Sequence, residues 1–187
     1  MSIPSPQEGQ IISEILSVPL DIQKDQSRGD GAWTKRIFKR VGDLGQSLGH
    51  AVCSSRKDVG FDNGWLYDLI WYKNGENNEF LHSVSLILEC EWNTSYKFIK
   101  YDFEKLLVCR ADLKIMIFQS HRKNIETIFG LLERGIAAYG HLGMNEVYFL
   151  ICFNLTTSLF EIKRVKVQSV NPHLVSSEVF LPPMLAS

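Results

Sequence analysis

The feature that most narrows the fold is a strand–helix–strand run between Leu86 and Phe118. VSLILECEW and KIMIF are short segments of strand character, and between them residues 96–110 set Ile99, Phe103, Leu106 and Leu107 along one helical face. A unit of this kind closes as a right-handed crossover joining parallel strands. Around it lie further elements. Asp30 stands where a cap belongs, before a helix with an apolar stripe at Trp33, Ile37, Val41, Leu44, Leu48 and Val52. GWLYDLIWYK reads as a strand, and the polar patch NGENNE carries an Asn-Gly hairpin signal between it and VSLILECEW. Ser120 precedes a long helix with Ile125, Ile128, Phe129, Leu132, Ile136 and Tyr139 at helical spacing, closed by Gly140 and Gly143. VYFLICF and LFEIKRVKV read as two last strands. The order predicts an α/β domain: a mixed β-sheet flanked by helices.

Length agrees with that reading, since 187 residues suit one ordinary domain at ~100–200 residues each. Expected boundaries are a peripheral N-terminal segment over 1–32, the α/β domain over 33–168, and an irregular C-terminal tail over 169–187. The first segment holds a short amphipathic stretch (Ile11, Ile12, Ile15, Leu16) and a polar linker ending in SRGDG. The longest apolar run, Val147 to Phe153, falls far short of the ~20 residues of a membrane helix. MSIPSPQEGQ lacks a basic start and an apolar core, so the expectation is a cytoplasmic protein that does not enter a membrane. The cysteines Cys53, Cys90, Cys109 and Cys152 form no C-x-x-C and read as reduced thiols rather than zinc ligands.

Net charge is −1, which points to no partner, but its distribution is uneven. Residues 33–57 hold six basic residues against one acidic, whereas residues 58–104 hold three basic against nine acidic. Three of those acids stand within apolar strands. Asp68 is flanked by large apolar residues in GWLYDLIWYK, and alternation along VSLILECEW puts Glu89 and Glu91 on the face of Ile87. Buried carboxylates are costly unless paired, hydrogen-bonded or bound to a cation. Should the two strands form a hairpin, Asp68 would sit beside Glu89, and a divalent cation would relieve their repulsion. Oxygen-only ligands suit Mg²⁺. Lys105, three residues after Asp102, lies on the flank of the next helix's apolar face, from which its ammonium can reach the carboxylates. The plainer alternatives are a sheet-edge carboxylate, or one bonded to backbone amides, for Asp68, a solvated strand face shared with Ser85 and Asn93 for Glu89 and Glu91, and a surface i,i+3 pair for Lys105.

These residues and the order of elements resemble the PD-(D/E)XK nuclease superfamily, which has the restriction-endonuclease-like fold. Residues 33–119 carry the resemblance. Asp68 matches the family's Asp near the start of a core strand, and Glu89 the acidic residue of the motif on the next strand. Glu91 stands where most members have a lysine. Some members also have a Glu there, and others carry the lysine on the following helix, where Lys105 matches. Many members have a Glu on the first helix. None occurs here between Glu14 and Glu76, which leaves Asp43 or Gln46.

The resemblance implies phosphodiester hydrolysis dependent on Mg²⁺ (or Mn²⁺), with Asp68, Glu89 and the backbone carbonyl of Cys90 as metal ligands. Lys105 would orient water or neutralise the phosphate, and Glu91 would be a second ligand or general base. It also implies nucleic acid as partner, with phosphate contacts from Lys35, Arg36, Lys39, Arg40, Arg56 and Lys57, and a homodimer as in many such nucleases. The alternative is a catalytically inactive nuclease-fold domain serving protein interaction or regulation. His50, His82, His121, His141 and His173 have no neighbour suggesting a catalytic pair, and Trp65, Trp71 and Trp92 read as core.

Overall fold

The computed structural model describes residues 5–25, 29–168 and 175–180, except for the side chains of 23–25, 78 and 175–180. His173 lies outside the described residues, as do Ser27 and Arg28 of the linker. The protein is α/β, a mixed sheet with flanking helices. It divides into two compact units, residues 1–85 and 86–187, and the expected 33–168 domain straddles that division.

The first unit opens with helix α1, Pro6–Asp25. Ser5 and Glu8 form a reciprocal capping pair, the Glu8 amide donating to the Ser5 hydroxyl at 3.2 Å and the Ser5 amide to the Glu8 carboxylate at 3.3 Å. The segment expected to be peripheral therefore begins with a well-defined helix, and its Ile11, Ile15 and Val18 are fully buried. Helix α2 spans Asp30–Ser47, with Gly29 rather than Asp30 in the capping position. The helix buries Ile37, Phe38 and Val41, while Val52, expected on its stripe, belongs to strand β1, Ala51–Ser54. Arg40 of α2 joins the two helices, donating to Glu14 and to Asp21 of α1 at 2.7 Å each.

Strand β1 pairs in parallel with β2 (Asp62–Asn63) and antiparallel with β3 (Leu69–Asn74). The stretch read as one strand from Gly64 thus becomes regular only at Leu69, and Asp68 sits just before it. After β3, the Gly75 amide donates to the Phe80 carbonyl at 2.9 Å, and Asn77 takes the left-handed backbone conformation (φ 62°). Strand β4, Leu81–Glu91, then crosses from the first unit into the second.

Trp71 of β3 is fully buried, whereas Trp65 is 55% exposed, against the core reading. A Cβ added at Gly45 of α2 would lie 2.5 Å from the Trp71 indole. Gly45→Ala is accordingly expected to destabilise by about 1–3 kcal/mol through overpacking. Thermal denaturation checks this beside Gln46→Ala, an exposed neighbour whose substitution should leave the midpoint nearly unchanged.

The second unit continues from β4 through helix α3 (Tyr96–Val108), β5 (Leu113–Ser120), helix α4 (Arg122–Ala138), β6 (Val147–Asn154), β7 (Leu159–Val167) and β8 (Val175–Phe180). Strands β4, β5 and β6 are mutually parallel, as a strand–helix–strand series requires, and β7 and β8 add antiparallel. Strand β8 corrects the expectation of a wholly irregular tail, because residues 175–180 pair with Ile162–Val167. Parallel strands covered on both faces read as continuous apolar runs, and β5 and β6 do: Ile115 through Phe118 and Tyr148 through Cys152 are fully buried. Among the described residues no helix is long and apolar enough to cross a membrane.

Candidate functional site

Glu89 is the most unusual side chain on β4. Its register partner on β5 is Met116, its neighbours along the strand are Leu88 and Cys90, and it is 0% exposed. The solvated-face alternative is thereby excluded for Glu89. Its charge is met by Lys105, which α3 brings back over the sheet. Ile99, Phe103 and Leu106 seat that helix, and Lys105 projects from its flank. The ammonium lies 2.5 Å from Glu89 Oε2 and 2.8 Å from Asp102 Oδ1. Lys105 is 31% exposed and Asp102 16%, so the group grades from a dry carboxylate to a water-facing one.

Burial alone would lower the Lys105 pKa. The hydrogen bonds to Asp102 and Glu89, together with their charges, outweigh it and hold the ammonium above the ordinary lysine range. Two carboxylates around one ammonium leave a local charge of about −1. Glu91, one pleat further on, is half-buried and accepts a hydrogen bond from the Asn93 amide at 2.6 Å. The Gln119 side chain donates to the Trp92 carbonyl, tying the end of β5 to the exit of β4.

Asp68 belongs to the first unit. It is half-buried, its Oδ1 accepts from the Ser55 hydroxyl at 2.9 Å, and its carbonyl accepts from the Ser55 amide at 2.9 Å. The Asp at the mouth of β3 is therefore positioned by the loop after β1. Asp43 and Gln46, the two substitutes for a first-helix Glu, are both exposed on α2, and Asp43 is paired with Lys39.

The basic flank is largely occupied by internal acids. Lys39 pairs with Asp43, Arg40 with Glu14 and Asp21, and Lys35 and Arg56 with Asp58 at 3.4 and 2.9 Å. Arg56 and Lys35 hold the Asp58 carboxyl down to about 2, mainly through the two Arg56 hydrogen bonds. Arg36 donates to the Ala32 carbonyl, and Lys57 is exposed. This pairing was hidden in the sequence because Arg40 finds its acids 19 and 26 residues away. His50 stacks on Trp71 at 5.4 Å, and burial, then Lys73, lowers its pKa; it is a packing residue.

Sequence reasoning also missed a buried polar triad. Lys114 of β5 donates to Glu146 Oε2 at 2.8 Å and to the Tyr148 hydroxyl at 3.0 Å, and Tyr148 donates to Glu146 at 3.0 Å. Lys114 is 1% exposed. One signal was available: a lysine at the head of the apolar run LKIMIF needs a buried acceptor.

No three His, Cys, Asp or Glu side chains gather as a metal-holding group among the described residues. The donor chemistry suits an ion that takes one or two carboxylates and completes its shell with water and substrate phosphate, as Mg²⁺ does. No family model matches the chain, and neither a curated protein nor a solved structure matches it.

Proposed function

We propose that the protein hydrolyses phosphodiester bonds in nucleic acid, at a centre built on Glu89 and Lys105 in the manner of the PD-(D/E)XK superfamily. One observation carries this reading: the helix after β4 delivers an ammonium onto a fully buried strand carboxylate. That is the arrangement expected when the family's lysine stands on the following helix. In this reading Glu89 and the Cys90 carbonyl would hold Mg²⁺ (or Mn²⁺), which would supply phosphoryl polarisation and an acidified water. Lys105, kept charged by its two carboxylates, stabilises the negative charge that grows on the phosphate oxygens. Asp102 keeps the Lys105 side chain in place when Glu89 turns to another cation. Glu91, closer to solvent than Glu89, serves as second ligand or as the acceptor of the water's proton.

The test is cleavage of supercoiled, linear and single-stranded substrates with Mn²⁺, run beside Glu89→Gln, with thermal midpoints measured with and without metal. The expected result is cleavage and a metal-dependent rise in midpoint for the wild type, by mass action on the folded state, and neither for Glu89→Gln. Equal cleavage by both proteins would assign the activity to a contaminant.

The Lys105 ammonium already meets the charge of the buried Glu89, which favours a second reading: a catalytically silent nuclease-fold module for protein interaction or regulation. Such a module would show no metal response, and its Lys105–Glu89 pair would be purely structural.

A further inference from the structure

A cleft of about 710 Å³ opens in the second unit, lined by His121, Arg122, Lys123 and Thr156. Three of the four are basic side chains on consecutive residues, all exposed. Among the described residues none of the three forms an ion pair with a carboxylate, in contrast to the cations of α2. Thr156 stands opposite them, its hydroxyl accepting from the Arg122 amide at 3.4 Å. All four described lining residues end in polar groups, although most of the surface they present to the cleft is carbon. What complements an open cleft of cationic heads carried on carbon stems is an extended anion that brings apolar surface with it, as a nucleic-acid strand does.

Its place in the sheet matters as much as its charge. The three basic residues follow directly on Ser120, the last residue of β5, and Thr156 follows Asn154, the last of β6. Glu91 ends β4 in register with Phe118, two residues before Ser120. The cleft and the Glu89–Lys105 centre thus share the carboxyl edge of the parallel strands, where ligands of open α/β sheets bind.

We infer that the His121–Arg122–Lys123–Thr156 cleft binds the phosphodiester backbone of a single nucleic-acid strand and sets it across the carboxyl ends of β4, β5 and β6. This rests on the nucleic-acid reading given above and moves the electrostatic footprint from α2 to the start of α4. Contacts of this kind fix position and carry no sequence information.

The test measures binding of a short fluorescent single-stranded oligonucleotide to the whole protein in EDTA, by anisotropy over a salt series. Arg122→Gln/Lys123→Gln is expected to weaken binding at least about tenfold and to flatten the salt slope by about 1.4, two charges at about 0.7 each for single strands. Arg110→Gln/Arg134→Gln removes two other exposed, carboxylate-free cations of the same unit and should change binding far less. Circular dichroism and thermal midpoints verify that both double variants fold.

Unchanged affinity in the cleft variant, or an equal loss in the control, overturns the assignment. Displacement of the strand by inorganic phosphate, at matched ionic strength, would mark a site for a lone phosphate group and overturn it too. Because metal is absent, the assay reads binding alone. Failure of the wild type to cleave would remove the hydrolase reading without altering this result, and cleft-independent binding would remove the cleft without touching the hydrolase.

Discussion

Replacing Lys105 by Met is expected to cost the protein about 3 kcal/mol of folding stability and to abolish any cleavage it performs. The stability loss follows from Glu89, which is fully buried and would lose the ammonium 2.5 Å away. A buried carboxylate that loses its partner suffers the whole desolvation penalty, whereas removing both charges at once is close to neutral. Lys105→Met/Glu89→Gln should therefore recover most of the lost stability and none of the activity. Urea denaturation and cleavage, measured on the single and double variants, separate the two effects. If the single variant unfolds at the wild-type midpoint, Glu89 does not depend on Lys105.

The pH dependence has a definite sign. The folded Lys105 pKa is raised above the ordinary 10.5, so its contribution to stability is complete below that value and is lost as pH rises through the higher folded value. Glu89→Gln removes part of that raise, so the alkaline fall in stability should be smaller and be complete at lower pH.

The second large effect lies in the Lys114–Glu146–Tyr148 triad. Lys114→Met should destabilise by about 3 kcal/mol, because Glu146 would lose the only cation it is bonded to among the described residues. Here, though, burial lowers the Lys114 pKa despite Glu146, so the charged lysine is worse off folded than unfolded. Its sign is opposite to that of Lys105. Stability rises with pH between the depressed folded value and 10.5, where the unfolded chain binds more protons. Lys114→Met/Glu146→Gln is accordingly expected to match or exceed the wild type. Loss in the double variant as great as in the single would mean that packing, not charge, dominates this corner of the sheet.

Much of the second unit was legible because its elements are long and periodic. LFEIKRVKV coincides with β7 and VYFLICF with the body of β6, and the stripe from Ile125 to Ile136 lies within α4. The first unit was harder to read. Strand β2 has two residues and β1 four, too few for a period, and their pairing depends on loops rather than on alternation. For the site, alternation placed Glu89 with Ile87, and both proved fully buried. The helix flank of Lys105 was visible too, but not that the side chain would bridge Glu89 and Asp102. Asp68 was placed inside a strand that it only precedes, since aromatic residues up to Tyr67 imitate a strand that starts only at Leu69. Long-range ion pairs left no local trace at all, so the basic helix looked available when its acids were already committed.

That commitment reaches beyond folding. With Lys39 and Arg40 paired to acids of their own chain and Lys35 and Arg56 sharing Asp58, a polyanion drifting toward α2 would feel a weakened pull at a distance and would have to compete with intramolecular acids. Few condensed counterions are set free in such an encounter, so capture gains little from bulk attraction. Any polyanion that docks against α2 would have to be held there by close fit rather than by bulk attraction.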